Sequence, residues 1–212
     1  MKRIVIFILF IGIYANLSAQ KIIVTKGYIS NYDTIHKMPV WSYYIARIEH
    51  KKQIVPRYPF FMACPGIKYQ ATNKDYDNSG YDKGHLTDAD DMRWDKDAEQ
   101  QSFYLTNVAP QVPEFNRVIW RELENHVRES LIDSSFVLTG VYSLNYKRFI
   151  GNKVYIPDYY YKIIYNYYTQ KLEIYSIQNV SGNDNYSKYS VSFENVKPYL
   201  TGFDINKYSF LK

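Results

Sequence analysis

The stretch Pro113-Glu-Phe115-Asn116-Arg-Val-Ile119-Trp120-Arg-Glu-Leu123-Glu124-Asn-His-Val127-Arg128-Glu-Ser-Leu131 decides the reading of this chain. Phe115, Ile119, Leu123 and Val127 recur every fourth position, which predicts an amphipathic helix over residues 113–131 opened by Pro113. Its other face carries Asn116, Trp120, Glu124 and Arg128, a row that drifts slowly around a regular helix. That row would set an amide, a carboxylate and a guanidinium beside an aromatic ring. Strand signals flank the helix on both sides. Trp41–Ile48 mixes aromatic and β-branched residues, and Phe136–Tyr142 reads as a buried strand ending at Gly140. Tyr159–Tyr168 and Leu172–Ile177 read as two more strands, each with one buried face, joined by Thr-Gln-Lys. Ser192 is placed to cap a short last helix that stops at Gly202. Strands around one long helix, without βαβ regularity, predict an α+β fold.

The chain has 212 residues, 46% hydrophobic and 22% charged, which suits one globular domain and excludes disorder, collagen and coiled coil. Cys64 is the one cysteine, so no intrachain disulfide framework and no cysteine-rich zinc module is available. Lys2-Arg3, the apolar run Ile4–Tyr14 and the small residues before Gln20 compose a secretory signal peptide over residues 1–19. The run is short for a bilayer span, and no other stretch is long and apolar enough to be one. A secreted or periplasmic protein of residues 20–212 is expected. Removing Lys2 and Arg3 takes the net charge from +5 to 24 − 21 = +3, compatible with a polyanionic partner without requiring one.

The segment Pro65–Asp91 is rich in Asp, Asn, Gly and Lys and reads as loop. Asp75-Tyr-Asp77-Asn-Ser79-Gly80 imitates the start of a calcium loop, but Leu86 stands where the bidentate carboxylate belongs, so that reading is rejected. Tyr81-Asp82-Lys83-Gly84-His85 is more productive. His85 is a residue able to take a proton from water near neutral pH, Lys83 offers a charge to a phosphoryl oxygen, and Gly84 leaves room for backbone or phosphate to approach. On the helix, Asn116 and Glu124 are about 12 Å apart along the axis, too far to be ordinary ligands of one ion. A hydrated cation reconciles them, with Asn116 binding directly and Glu124 holding one of its waters. Magnesium, which keeps several waters, is the natural occupant. A metal, a base and a cation are the parts needed to hydrolyse a phosphodiester. Singly, each has an ordinary reading: a surface histidine, a helix-start asparagine, an i,i+4 ion pair. His36, His50 and His126 have no comparable surroundings.

In order along the chain, Gly80-Tyr-Asp-Lys-Gly-His85, Thr106-Asn107-Val-Ala-Pro-Gln111, Phe115-Asn116-Arg with Trp120 and Leu123-Glu124, Thr139-Gly140, Pro157-Asp-Tyr-Tyr-Tyr-Lys162 and Tyr199-Leu-Thr-Gly202 resemble the blocks of the DNA/RNA non-specific endonuclease family. That family includes secreted bacterial nucleases and mitochondrial endonuclease G. The resemblance implies a ββα-metal (His-Me finger) core with an antiparallel sheet, in which a strand pair delivers the histidine and the helix the metal ligand. It implies His85 as general base, Asn116 as direct ligand of Mg2+ (with Mn2+ an alternative), and Glu124 acting through the metal's waters. Asp82 becomes a local organiser, Arg128 a residue near the phosphate, and Arg57 the counterpart of an upstream arginine. DNA and RNA would both be substrates, cut to leave 5′-phosphate ends, with the metal stabilising the leaving 3′ oxygen. Some members are homodimers, although this sequence carries no interface signal.

Two positions depart from the pattern. Lys83 replaces the usual arginine and lacks its planar fork. His85-Leu-Thr-Asp88 replaces His-x-Ala-Pro, and Asp88, Asp90 and Asp91 would repel a phosphate backbone unless turned away or screened. These departures support a competing reading, a catalytically impaired nucleic-acid-binding protein on the same scaffold. The 14 tyrosines after Gly140 suggest a sugar- or base-stacking surface, for which composition bias is the simpler account.

Overall fold

The computed structural model describes residues 20–144 and 146–211, so the signal-peptide reading of residues 1–19 lies outside the described residues. The strands are β1 (Gln20–Val24), β2 (Ile29–Asp33), β3 (Met38–Arg47), β4 (Asp82–His85), β5 (Val108–Gln111), β6 (Ser134–Tyr142), β7 (Phe149–Ile150), β8 (Val154–Tyr155), β9 (Tyr159–Asn166) and β10 (Lys171–Gln178). Six of them form one antiparallel sheet in the order β1-β2-β3-β6-β9-β10. β4 pairs with β5, and β7 with β8, as separate two-stranded sheets. The result is the expected α+β architecture.

Because side chains alternate across a strand, the central strands feed two cores. Val137 and Val141 of β6 and Tyr160 and Ile164 of β9 pack beneath the long helix with Phe115, Ile119, Trp120, Leu123 and Val127. Phe136, Leu138, Tyr161 and Ile163 point the other way, onto Trp41 and the C-terminal residues Val196, Leu200 and Leu211. β9 is therefore buried on both faces, not on one as its tyrosine-rich alternation suggested. The covering element is the C-terminal segment, pinned where Trp41 Nε1 donates to the Thr201 carbonyl at 2.8 Å. Ser192 caps the short helix Phe193–Val196 as read from sequence, with Asn195 as its reciprocal partner. The helix stops at Val196 and not at Gly202, because a 3-10 turn over Lys197–Tyr199 intervenes. Gly140 does not end β6. It lies inside the strand because Tyr161 crosses it, and a Cβ there would meet the Tyr161 ring at 2.2 Å.

The segment read as loop contains the strand that matters most, β4. Its four residues are too few and too polar to announce themselves by alternation, and pairing with β5 creates them as a strand. β1 and β2 also carry no strand signal that the sequence reading used.

The long helix runs over residues 113–129, 17 residues, with one π turn at Asn116–Trp120. A π turn holds more than four residues, so the row of i,i+4 side chains breaks at its first step. Trp120 consequently leaves the polar stripe and is fully buried between Phe115 and Tyr160, at ring separations of 5.6 and 5.4 Å. No described helix is long and apolar enough to cross a membrane.

Candidate active site

β4, the long helix and the segment from Arg57 to Phe61 line a cleft of about 820 Å³. Its walls bring together all the residues singled out in the sequence: Asp82, Lys83 and His85 from β4, and Asn116, Glu124 and Arg128 from the helix. Arg57, Arg117 and Arg121 line it as well.

β4 is held by neighbours that explain its composition. Gly84 faces Gln111 across the strand pair, and a Cβ at 84 would sit 1.9 Å from Gln111 Oε1. The close approach that the glycine permits is thus by Gln111 and not by backbone or phosphate. Beyond β4, buried Asn107 binds the chain at three points: its amide donates to the Thr87 and Ser102 carbonyls and its oxygen accepts from Thr87 N–H. The helix start is fixed by Asn179, which accepts from Val112 N–H at 2.8 Å and donates to the Pro110 and Pro157 carbonyls. Asp75 belongs to none of this. It closes a capping box with Thr72 and accepts from Asn152 N–H, a structural use that agrees with rejecting the calcium loop.

His85 lies between the rings of Phe61 and Phe103, at 5.2 and 5.1 Å. Burial, with Arg57 adding to it, lowers the imidazole to about 4 from its ordinary 6.5. The ring is therefore neutral at physiological pH, and its Nε2 has no hydrogen-bond partner among the described residues. Lys83 holds its ammonium over Phe61 and Tyr76, 5.4 and 5.2 Å from the ring centres.

Asp82 joins β4 to the helix. Asn116 Nδ2 donates to its Oδ2 at 2.9 Å, and Arg117 grips both of its oxygens at 2.7 and 2.8 Å. With its nitrogen committed to Asp82, Asn116 keeps its amide oxygen for a ligand of the cleft that the residue lines. Farther along the helix, burial and then Asp88 push the Glu124 carboxyl well above the ordinary carboxylate range. One neutral oxygen and one desolvated carboxyl, with open volume between them, fit a hard, mostly hydrated dication. Among the described residues no three His, Cys, Asp or Glu side chains converge as a cage, so an ion here would depend on water for most of its shell.

The three carboxylates expected to repel phosphate are instead occupied. Asp90 binds Arg57 at 3.0 Å, while Asp88 and Asp91 both bind Arg128. Burial opposes the Asp88 charge, but Arg128 holds the carboxyl below its ordinary value. Asp91 is raised to about 6 by burial and by Asp88, and receives a short hydrogen bond from Tyr44. Lys162, quoted in the sequence as part of a block but given no role, is fully buried on the helix-facing side of β9. Its Nζ donates to Thr139 Oγ1 at 2.7 Å and lies 4.7 Å from the centre of the Trp120 ring. Burial lowers its pKa, opposed by the charges of Glu124, Asp88 and Asp91. A lysine in a strand otherwise made of tyrosine and isoleucine up to Asn166 was the available signal.

The chain matches the model of the family described as DNA/RNA non-specific endonuclease over residues 13–209. It is 38% identical over 109 residues to mitochondrial endonuclease G of Homo sapiens, covering 45% of this chain and 37% of that protein. It is 32% identical over 160 residues to mitochondrial Nuclease 1 of Schizosaccharomyces pombe, covering 66% and 50%. The chain thus spans between about a third and a half of the length of these curated relatives. In three dimensions it resembles a chain in a crystal structure of an EndoG/EndoGI complex, with a TM-score of 0.76, 31% identity, and coverage of 84% of this chain and 82% of that one. A family match spanning nearly the whole chain, joined to this likeness of fold, places the protein in the DNA/RNA non-specific endonuclease family.

Proposed function

We propose that this chain is an exported, Mg2+-dependent endonuclease that hydrolyses phosphodiester bonds in both DNA and RNA. The observation that carries the reading is that His85, Asn116 and Glu124 line one cleft. In this reading His85 takes a proton from a water molecule as that water attacks phosphorus. Lys83 stabilises the charge that grows on the phosphoryl oxygens, and Arg128, engaged by Asp88 and Asp91, stands beside them. Asp82 organises the site by holding Asn116. Asn116 would hold Mg2+ directly, with Glu124 accepting hydrogen bonds from its waters. When bound, the ion supplies Lewis-acid stabilisation of the scissile phosphate and of the departing 3′ oxygen. The ribose 2′ position need play no part, which is why both polymers are substrates. Export rests on the Lys2-Arg3 start and the apolar run after it.

The test is parallel digestion of a DNA duplex and a single-stranded RNA in Mg2+, with mapping of the product termini. Cleavage of both to 5′-phosphate, 3′-hydroxyl ends supports the reading. Cleavage of RNA alone to 2′,3′-cyclic phosphates would overturn it, because that chemistry uses the ribose hydroxyl as nucleophile.

A further inference from the structure

The cations around the cleft are mostly engaged with carboxylates. Arg57 meets Asp90 at 3.0 Å and Arg117 meets Asp82 at 2.7 Å, but these two arginines are 49% and 67% exposed, so water screens their pairs. Arg128 is different. Its side chain is 18% exposed, and its partners Asp88 and Asp91 are 10% and 7% exposed. Asp88 and Asp91 share Nη1, and Nη2 donates to Asn125 Oδ1 at 2.6 Å. Two carboxylates on one guanidinium engage its charge where solvent screens little, with the buried Lys162 ammonium as a further neighbour of Asp88. Among the described residues of the cleft, only Lys83 and Arg121 carry a positive charge without a carboxylate partner.

Resting on the nuclease reading of this cleft, we infer that Asp88 limits the affinity for nucleic acid by holding Arg128 against the protein. A phosphate approaching Arg128 has to compete with Asp88 for Nη1 and also meets the Asp88 charge. The guanidinium is well fixed but contributes little net attraction. Asp88 has one further duty: its Oδ1 accepts from Asp90 N–H at 3.1 Å and shapes the following turn. Asparagine keeps that acceptor and removes the charge, so Asp88→Asn isolates the electrostatic effect.

The experiment measures binding of a 20-base-pair duplex to the full chain without divalent metal, by fluorescence anisotropy from 50 to 200 mM salt. Asp88→Asn is expected to bind about three- to tenfold tighter at the low-salt end. The slope of log Kd against log salt is expected to steepen by about 0.9, the signature of one further phosphate contact. In a background carrying Arg128→Gln the gain is expected to vanish. Unchanged or weaker binding, an unchanged slope, or a gain that survives without Arg128 would overturn the inference. Should Asp88→Asn melt below the assay temperature, Asp88→Ser reads the same quantity. A wild-type protein that neither binds nor cuts in Mg2+ defeats the nuclease reading and this inference together. One that binds and cuts, with variants that bind identically, defeats the Asp88 inference alone.

Discussion

Asn116 Nδ2 donates to Asp82 Oδ2 at 2.9 Å, and that hydrogen bond decides which atom of the amide faces the cleft. It ties the long helix to β4 three residues before His85. The relation between candidate base and candidate metal ligand therefore does not depend on a mobile side chain. Arg117, bidentate on the same carboxylate, keeps Asp82 oriented.

Asp82→Ala is expected to raise the Mg2+ concentration for half-maximal cleavage about 10- to 100-fold, the usual cost of losing a partner that orients a ligand. Mg2+ is expected to raise the Tm of the wild type, and Asn116→Ala is expected to abolish that stabilisation. Magnesium titrations of cleavage rate and of Tm measure both. An Asp82→Ala protein with unchanged Mg2+ dependence contradicts the organising role.

His85 gives a pH dependence with a definite sign. Its folded pKa of about 4 lies below the unfolded value of 6.5, so between them the unfolded chain binds more protons. The contribution to stability is complete above pH 6.5 and is lost as pH falls toward 4. Relative to His85→Gln, which does not titrate there, the wild type should lose Tm across that window and hold a constant difference above it. Melting curves of the two proteins at pH 7.5, 6 and 5 test this. The same shift keeps the base neutral, so loss of activity through His85 protonation is not expected above pH 5.

Gly84→Ala puts a Cβ within 1.9–2.7 Å of the Gln111 side chain. Overpacking of this kind typically costs about 1–3 kcal/mol. A Tm lowered by about 5 °C is expected for a domain of this size. Because His85 is the next residue, cleavage is expected to fall more than folding does at a temperature where the variant remains native.

Lys83 is a point charge resting over two rings, where a guanidinium could both stack and grip phosphate with two donors. Lys83→Arg is expected to raise kcat/KM by a few-fold, and Lys83→Met to lower it by on the order of 10²-fold. Steady-state kinetics on a short fluorogenic oligonucleotide separates these outcomes. A loss of rate in Lys83→Arg would mean that the cleft is shaped for the ammonium.

Much of this was legible in the sequence where a local rule sufficed. The fourfold spacing of Phe115, Ile119, Leu123 and Val127 marks the buried face of the helix, and all four are buried. The motif spacing brings His85, Asn116 and Glu124 to one cleft. What the sequence hid depends on long-range partners. β4 is a strand only because β5 pairs with it, and both faces of β9 are covered only because residues 193–211 fold back. The π turn that sends Trp120 inward has no one-dimensional signal, so the stripe containing Trp120 was misread. Asp88, Asp90 and Asp91 looked like free negative charges because the arginines that hold them lie more than thirty residues away.

The most direct test of the whole account is plasmid cleavage by the purified protein in Mg2+, beside EDTA and beside His85→Ala. The account predicts nicking and smearing by the wild type, loss in EDTA, and a rate lowered by about 10²–10⁴-fold in His85→Ala while DNA binding persists. A folded wild-type protein that retards the plasmid but leaves it intact across several divalent metals would contradict the catalytic claim and leave a binding scaffold in its place.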